Sequence, residues 1–147
     1  MSQRVLIASD HAGFPLKTAL QEILKDIEWD DLGPSNTSRV DYPDYAAVLA
    51  RKISEGAADL GILICGTGIG MSIAANKFKG VRAAVVENPT SARLARDHNH
   101  ANILCLGARM LGNEYAAEIT RKFLDTSPSA DPRHRGRVQK IGNLENQ

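Results

Sequence analysis

The sequence predicts a three-layer α/β/α sandwich: a five-stranded, parallel, doubly wound (Rossmann-like) sheet, with a C-terminal tail helix. Three observations carry this. Short apolar runs alternate five times with segments of helical hydrophobic period, the pattern of a parallel sheet covered on both faces. The 147 residues, 43% hydrophobic and 24% charged, have the size and composition of one globular unit. The first and third runs end in Asp10-His11 and Cys65-Gly66. In a sheet that starts 2-1-3 those two strand ends are neighbours at the switch point where ligands bind.

Val5 to Ala8 reads as a buried strand, closed by Ser9-Asp10-His11-Ala12-Gly13. From Pro15 a helix follows, with Leu16, Leu20, Ile23, Leu24 and Ile27 on one face and Lys17, Gln21, Glu22 and Lys25 opposite. Residues 28–32 form a weaker strand, and Gly33 to Pro43 a loop. Asp44 to Glu55 is helical, with Tyr45, Val48, Leu49 and Ile53 inward, and Gly56 stops it. Leu60 to Cys65 is the cleanest strand, and the glycine loop after it leads into a helix over Met71 to Lys77. Val81 to Val86 is the fourth strand, and a helix opened by Asn88-Pro89-Thr90 ends near His98. Ile103 to Leu106 is the fifth strand, and Asn113 to Leu124 a helix burying Ala116, Ala117, Ile119 and Phe123. After a loop over Thr126 to Pro132, Arg133 to Leu144 is a basic, partly helical tail with Val138 and Ile141 able to dock. The whole chain, residues 1–147, is read as one domain, its tail spanning about 127–147.

Composition excludes several classes. A net charge of +1 offers no basic excess for nucleic acid and no polybasic tract for a membrane surface. Two cysteines make no disulfide framework and suit a reducing compartment. No apolar run approaches the roughly 20 residues of a spanning helix, and the N-terminus shows no signal-peptide cleavage pattern. The expectation is a cytoplasmic protein with no membrane and no nucleic-acid partner.

The richest motif is Cys65-Gly66-Thr67-Gly68-Ile69-Gly70. Its glycines let backbone approach a ligand, and their N–H groups with the next helix start form an anion site. Cys65 stands just before that positive end, where a thiolate is favoured. A thiolate there suits abstraction of a carbon-bound proton, with the N–H groups stabilising the oxyanion that develops. The plainer alternative is a buried cysteine beside a tightly packed turn. The loop is not the dinucleotide fingerprint, since position 71 is Met rather than Gly, although Glu87 stands where a ribose-binding acid would.

Asp10-His11 can fix a sugar hydroxyl and a phosphate, or merely form a turn and helix cap. His98, at a helix end, is either an acid–base group or a favourable charge position. His98 and His100 lack the partners of a zinc motif, so no metal is expected. Arg109, and the cluster Arg133-His134-Arg135-Gly136-Arg137, offer guanidinium forks for phosphate, with a solvated face as the alternative.

Ser9-Asp-His-Ala-Gly13, Asp41-Tyr-Pro43, Ile64 to Gly70, Ala74-Ala-Asn-Lys77, His98-Asn99, Gly107-Ala-Arg109 and Arg133 to Arg137 together resemble the ribose-5-phosphate isomerase type B family. That family includes galactose-6-phosphate and allose-6-phosphate isomerases, and the likeness spans nearly the whole chain. It implies an aldose–ketose isomerisation through a cis-enediolate, without metal or cofactor. It implies that Cys65 moves the proton between C1 and C2, and that His98 opens the furanose ring with Thr67 assisting. The amides of Gly66, Gly68 and Gly70 would form the anion hole, while Asp10, Tyr42 and Asn99 hold sugar oxygens. His11, Arg109, Arg133 and Arg137 would face the phosphate. A subgroup places a glutamate base a few residues later; Ala74 and Ala75 occupy that neighbourhood here, leaving Cys65. His11 favours a pentose phosphate over a tetrose phosphate. The resemblance also implies a homodimer, in some members a tetramer, with each site built from two chains. The rival readings are an isomerase of another sugar phosphate and a non-catalytic phosphate- or nucleotide-binding module.

Overall fold

Residues 3–147 are described by a computed structural model. The strands are β1 (Arg4–Ser9), β2 (Glu28–Asp31), β3 (Leu60–Cys65), β4 (Ala83–Val85) and β5 (Ile103–Gly107). They form one parallel sheet in the order β2-β1-β3-β5-β4. The helices are α1 (Phe14–Ile23), α2 (Tyr42–Ser54), α3 (Ile69–Ala75), α4 (Pro89–Asp97), α5 (Asn113–Asp125) and α6 (Pro132–Asn143), followed by a 3-10 turn, Leu144–Asn146. Among the described residues, no helix is long and apolar enough to cross a membrane.

Right-handed crossovers fix the layers. Leu16, Leu20, Ala92, Ala95, Ala116, Ile119 and Phe123 bring α1, α4 and α5 onto one face of the sheet. Ala46, Leu49, Ala50, Ile53, Met71 and Ala75 bring α2 and α3 onto the other. At the carboxyl edge, β3 therefore hands its chain to one face while its neighbours β1 and β5 hand theirs to the other. The chain parts on both sides of β3, and Cys65 ends that strand.

Several elements depart from expectation. The second helix starts at Tyr42 rather than Asp44, because Pro43 suits a first helical turn. Its buried stripe is Ala46, Leu49, Ala50 and Ile53, which leaves Val48 40% exposed. The third helix takes in Ile69 and Gly70, and the fourth strand shrinks to three residues. Ile23 is 39% exposed at the end of α1. The tail is helical throughout but buries no residue, so Ile141 stays exposed instead of docking on its own chain.

Lys17 is the sharpest correction. Expected on the solvent side, it is 1% exposed. Its Nζ donates to Asp31 Oδ1 at 2.7 Å and to the Pro34 carbonyl at 2.6 Å. Those partners lie at the end of β2 and in the following loop, beyond the reach of a pattern read within one helix.

The free edge of β4 is closed from within. Asn76 donates from Nδ2 to the Ala83 carbonyl at 3.0 Å and accepts the Ala83 N–H at 2.8 Å, so a side-chain amide stands where another strand would pair.

Gly13 sets how closely β1's exit approaches β3. A β-carbon there would meet the Ile64 carbonyl oxygen and lie 2.7 Å from its carbon. Gly13→Ala should therefore destabilise the fold by about 1–3 kcal/mol through overpacking. For a chain of this size the melting temperature should fall by roughly 2–12 °C. An unchanged melting curve would refute this reading of Gly13.

Candidate active site

The turn after β3 is folded around the Cys65 sulfur. Gly68 takes a left-handed φ of 81°, open to glycine at no steric cost, and its N–H donates to Cys65 Sγ at 3.1 Å. Thr67 Oγ1 accepts the Ile69 N–H at 3.2 Å and so caps the first turn of α3. The turn after β5 continues the pairing. Ala108 N–H donates to the Cys65 carbonyl at 2.8 Å, and Arg109 N–H to the Gly66 carbonyl at 3.0 Å. Arg109 lies over Gly66 so closely that a β-carbon there would be 2.9 Å from Nη1. Tyr42 lies over Gly70 in the same way, with Cε1 2.5 Å from where a β-carbon would stand. The loop's glycines thus make room for two side chains that converge on it.

Asp10 joins from β1. It is 7% exposed; its N–H donates to the Ile64 carbonyl at 3.1 Å, and Oδ1 accepts the Gly13 N–H at 2.9 Å. His11 Nδ1 lies 3.2 Å from both the N–H and the carbonyl of Val40, which pins the 33–41 loop beside it. Asp10, His11 and Tyr42 border one cavity of about 410 Å³. Arg39 borders it too, and with no ion pair among the described residues its charge is unspent on protein. The sequence reading missed Arg39. Its only signal is its place two residues before Asp41-Tyr42-Pro43, and loop conformation has no periodicity to read.

The two cysteines differ. Cys65 is 5% exposed at the end of β3, whereas Cys105 is fully buried inside β5. Burial first, and Cys65 second, push the Cys105 thiol far above its usual range. Cys105 pairs with Leu63, so Cys65 stands two residues along the neighbouring strand. That offset puts the two α-carbons about 8 Å apart, too far for a disulfide.

Within this chain, His98, Asn99, Arg133 and Arg137 are elsewhere. His98 ends α4 and precedes β5, so it lies at the amino edge of the sheet. The five residues of β5 separate it from the Gly107–Arg109 turn, about 16 Å along a strand. His98 stacks on His134 of α6, ring centroids 4.1 Å apart and 11° from parallel, with Nε2 3.8 Å from Asp97 Oδ2. His134 is a second residue the sequence reading passed over, lost among the arginines around it. Arg133 pairs with Asp131 at 3.0 Å, and this bond holds the Asp131 carboxyl below its usual range. Arg137, one turn on, has no ion pair among the described residues. The sequence-derived candidates thus fall into two groups: nine around the carboxyl-edge loop, four at or beyond the amino edge.

The carboxyl-edge group can do proton chemistry. A thiol at a strand end, an N–H aimed at its sulfur, further N–H groups in the glycine loop, and Asp10 and Tyr42 close by for hydroxyls suit abstraction of a proton alpha to a carbonyl.

Comparison with known proteins points the same way. The family described as Ribose/Galactose Isomerase matches residues 5–141. Ribose-5-phosphate isomerase B of Escherichia coli K12 is 42% identical over 145 residues, covering 97% of each chain. The structure of ribose-5-phosphate isomerase B from Clostridium thermocellum superposes with a TM-score of 0.93 at 44% identity, covering 97% of each chain. The Mycoplasma genitalium ribose-5-phosphate isomerase B, solved with bound ribulose 5-phosphate, gives 0.92 at 43% identity and covers 100% of this chain and 99% of that one.

Proposed function

The chain belongs to the ribose/galactose isomerase family, and from that premise we propose that it interconverts D-ribose 5-phosphate and D-ribulose 5-phosphate through a cis-enediolate. The observation that carries the reading is the Gly68 N–H on Cys65 Sγ at the end of β3, with Asp10 bonded to the neighbouring Ile64 carbonyl and the Tyr42 ring lying over Gly70. The Cys65 thiolate takes the proton from C2 of the open-chain aldose. The C2–H electron pair becomes the C1–C2 double bond, and the carbonyl pair moves onto O1, where the Gly66–Gly70 amides hold it. The thiol then returns the proton to C1 while the O2 hydroxyl proton passes to O1, so that O2 becomes the ketone oxygen and O1 the C1 hydroxyl. The reaction is redox-neutral within one molecule, so it calls for no redox cofactor, and in this step the thiol and the loop amides supply the base and the oxyanion support.

His98 is the ring-opening acid–base, assisted by Thr67, and Asn99 holds a sugar oxygen beside Asp10 and Tyr42. His11, Arg109, Arg133 and Arg137 bind the phosphate. Because one chain separates these groups by the height of the sheet, the functional unit is a homodimer, with tetramers as pairs of dimers. Its amino-edge residues reach the partner's cleft. Support comes from α6, none of whose residues is fully buried, and from Ile69, Ile73 and Met110, large apolar side chains left exposed around the cysteine loop. The working compartment is the cytoplasm, where a free catalytic thiol persists.

The test is a substrate panel with chelator-treated protein: ribose 5-phosphate, allose 6-phosphate, galactose 6-phosphate and erythrose 4-phosphate. Ribose 5-phosphate should give the highest kcat/KM. Preference for another sugar would move the substrate within the class, and no turnover on any, with phosphate binding kept, would replace the enzyme by a binding module.

Removing a phosphate cation should raise KM for phosphorylated sugar with little change for the neutral sugar. Arg137→Ala should cost about tenfold to hundredfold, the size of a lost charge-assisted hydrogen bond. Arg133→Ala should cost less, because Asp131 already competes for that guanidinium. Equal losses on phosphorylated and neutral substrates would make the tail structural.

A further inference from the structure

The amino edge of the sheet holds a second concave site that the isomerisation does not use. A cavity of about 400 Å³ opens there, bordered by Asp59, Arg82, Arg96, His100 and Asn102. Both arginines are fixed by backbone carbonyls. Arg82 donates from Nε to the His100 carbonyl at 2.8 Å and from Nη1 to the Gly80 carbonyl at 3.2 Å. Arg96 donates from Nε to the Thr126 carbonyl at 3.1 Å and from Nη1 to the Ala101 carbonyl at 2.7 Å. Phe123 supports Arg96 from one side, its ring centre 5.5 Å from Cζ. Each fork thus uses two nitrogens for the fold and keeps Nη2 without a hydrogen-bond partner among the described residues.

Carbonyls orient these cations but do not neutralise them. Among the described residues, neither guanidinium has a carboxylate within ion-pair distance. The nearest acids are Asp59 toward Arg96 and Glu145 toward Arg82, and Glu145 already accepts the Gly80 N–H at 2.8 Å. Burial first, then the neighbouring Arg82, holds the Arg96 guanidinium below its ordinary range. His100 shares the cavity, with Nε2 3.2 Å from the Ser129 carbonyl. Burial lowers its pKa most, against the Ser129 bond, and the charges of Arg82, Arg96 and Arg135 lower it further; Arg82 and Arg96 line the cavity with it. Among the described residues it is also the one non-glycine with a positive φ, 50°, in the left-handed region. Like charges brought together, part-buried and held by carbonyls, have no carboxylate within ion-pair distance among the described residues.

We propose that this cavity binds a small phosphoanion, inorganic phosphate or a phosphate monoester, with Arg82 and Arg96 as paired forks and Arg135 adding to the attraction. Two fixed guanidinium groups, each with a terminal NH2 to spare, match the several oxygens of a tetrahedral dianion. Their rigidity spares the ordering cost of binding. The cavity is lined by none of the residues given to the isomerisation and stands whether or not the proposed sugar is the right one.

Calorimetric titration of the full chain with inorganic phosphate, and separately with glycerol 3-phosphate, tests it. The wild type should show two binding events per chain. Arg82→Gln combined with Arg96→Gln should abolish one and leave kcat/KM in phosphate-free buffer within about twofold. Binding of both probes at this site identifies a monoester site, and binding of inorganic phosphate alone a free-phosphate site. If losing the carbonyl bonds unfolds that double variant, Arg135→Glu replaces it and should weaken the second event at least threefold. A single event per chain that Arg109→Ala removes, or a second event indifferent to Arg135→Glu, would overturn the proposal.

Discussion

Cys65→Ala should lower kcat by about 10²–10⁴-fold, the range expected when a positioned acid–base group is removed. The fold should survive. The sulfur accepts one hydrogen bond, from Gly68, while the loop around it is also held by Ala108 and Arg109 N–H bonds to the Cys65 and Gly66 carbonyls. Circular dichroism and melting should therefore stay close to wild type while turnover collapses. Iodoacetate should inactivate the wild type, and substrate should protect it, because the proposed reaction seats C1 and C2 of the sugar against the Cys65 sulfur. Cys105 should not react, being fully buried with its thiol pushed up by that burial. Near-normal turnover in Cys65→Ala, or alkylation at Cys105 accounting for the inactivation, would remove Cys65 from the mechanism.

The second large effect concerns assembly. Cys65→Ala and His98→Asn should each be nearly inactive alone, yet their mixture should recover activity after subunit exchange. A strand of five residues, about 16 Å, keeps Cys65 and His98 of one chain apart. A site pairing Cys65 from one chain with His98 from the other therefore survives once in each mixed dimer, whose second site lacks both. Random exchange makes half the dimers mixed, so the ceiling is about a quarter of wild-type sites in a two-fold assembly. Exchange proven by mass labelling without recovered activity would mean that each site draws both residues from a single chain.

How far the sequence carried depended on the range of the interaction concerned. β3 and the loop after it were readable because every cause is local: an all-apolar strand, then glycines spaced for a tight turn. Asp10 and Cys65 were placed in one crevice because the order 2-1-3 makes their strands neighbours. Lys17 was misplaced because its partners, Asp31 and Pro34, come from another element. Val48 was misplaced because the alanines Ala46 and Ala50, not the larger Tyr45 and Val48, complete the buried stripe with Leu49 and Ile53. Small residues carry a weak hydrophobic signal but pack closest to a sheet. Arg39 and His134 were passed over because one sits in an aperiodic loop and the other among stronger charges.

The strand order has a consequence in time. β5 sits between β3 and β4, although it is the last of the three to be made. As the chain leaves the ribosome, β3 is finished roughly 40 residues before its inner neighbour, a delay of about 2–8 s at ordinary synthesis rates. β4 emerges meanwhile with no strand to lie against, since its sheet partner is β5. For those seconds the all-buried strand β3 has one edge without its native partner, and an unpaired strand edge is a template for pairing with another chain.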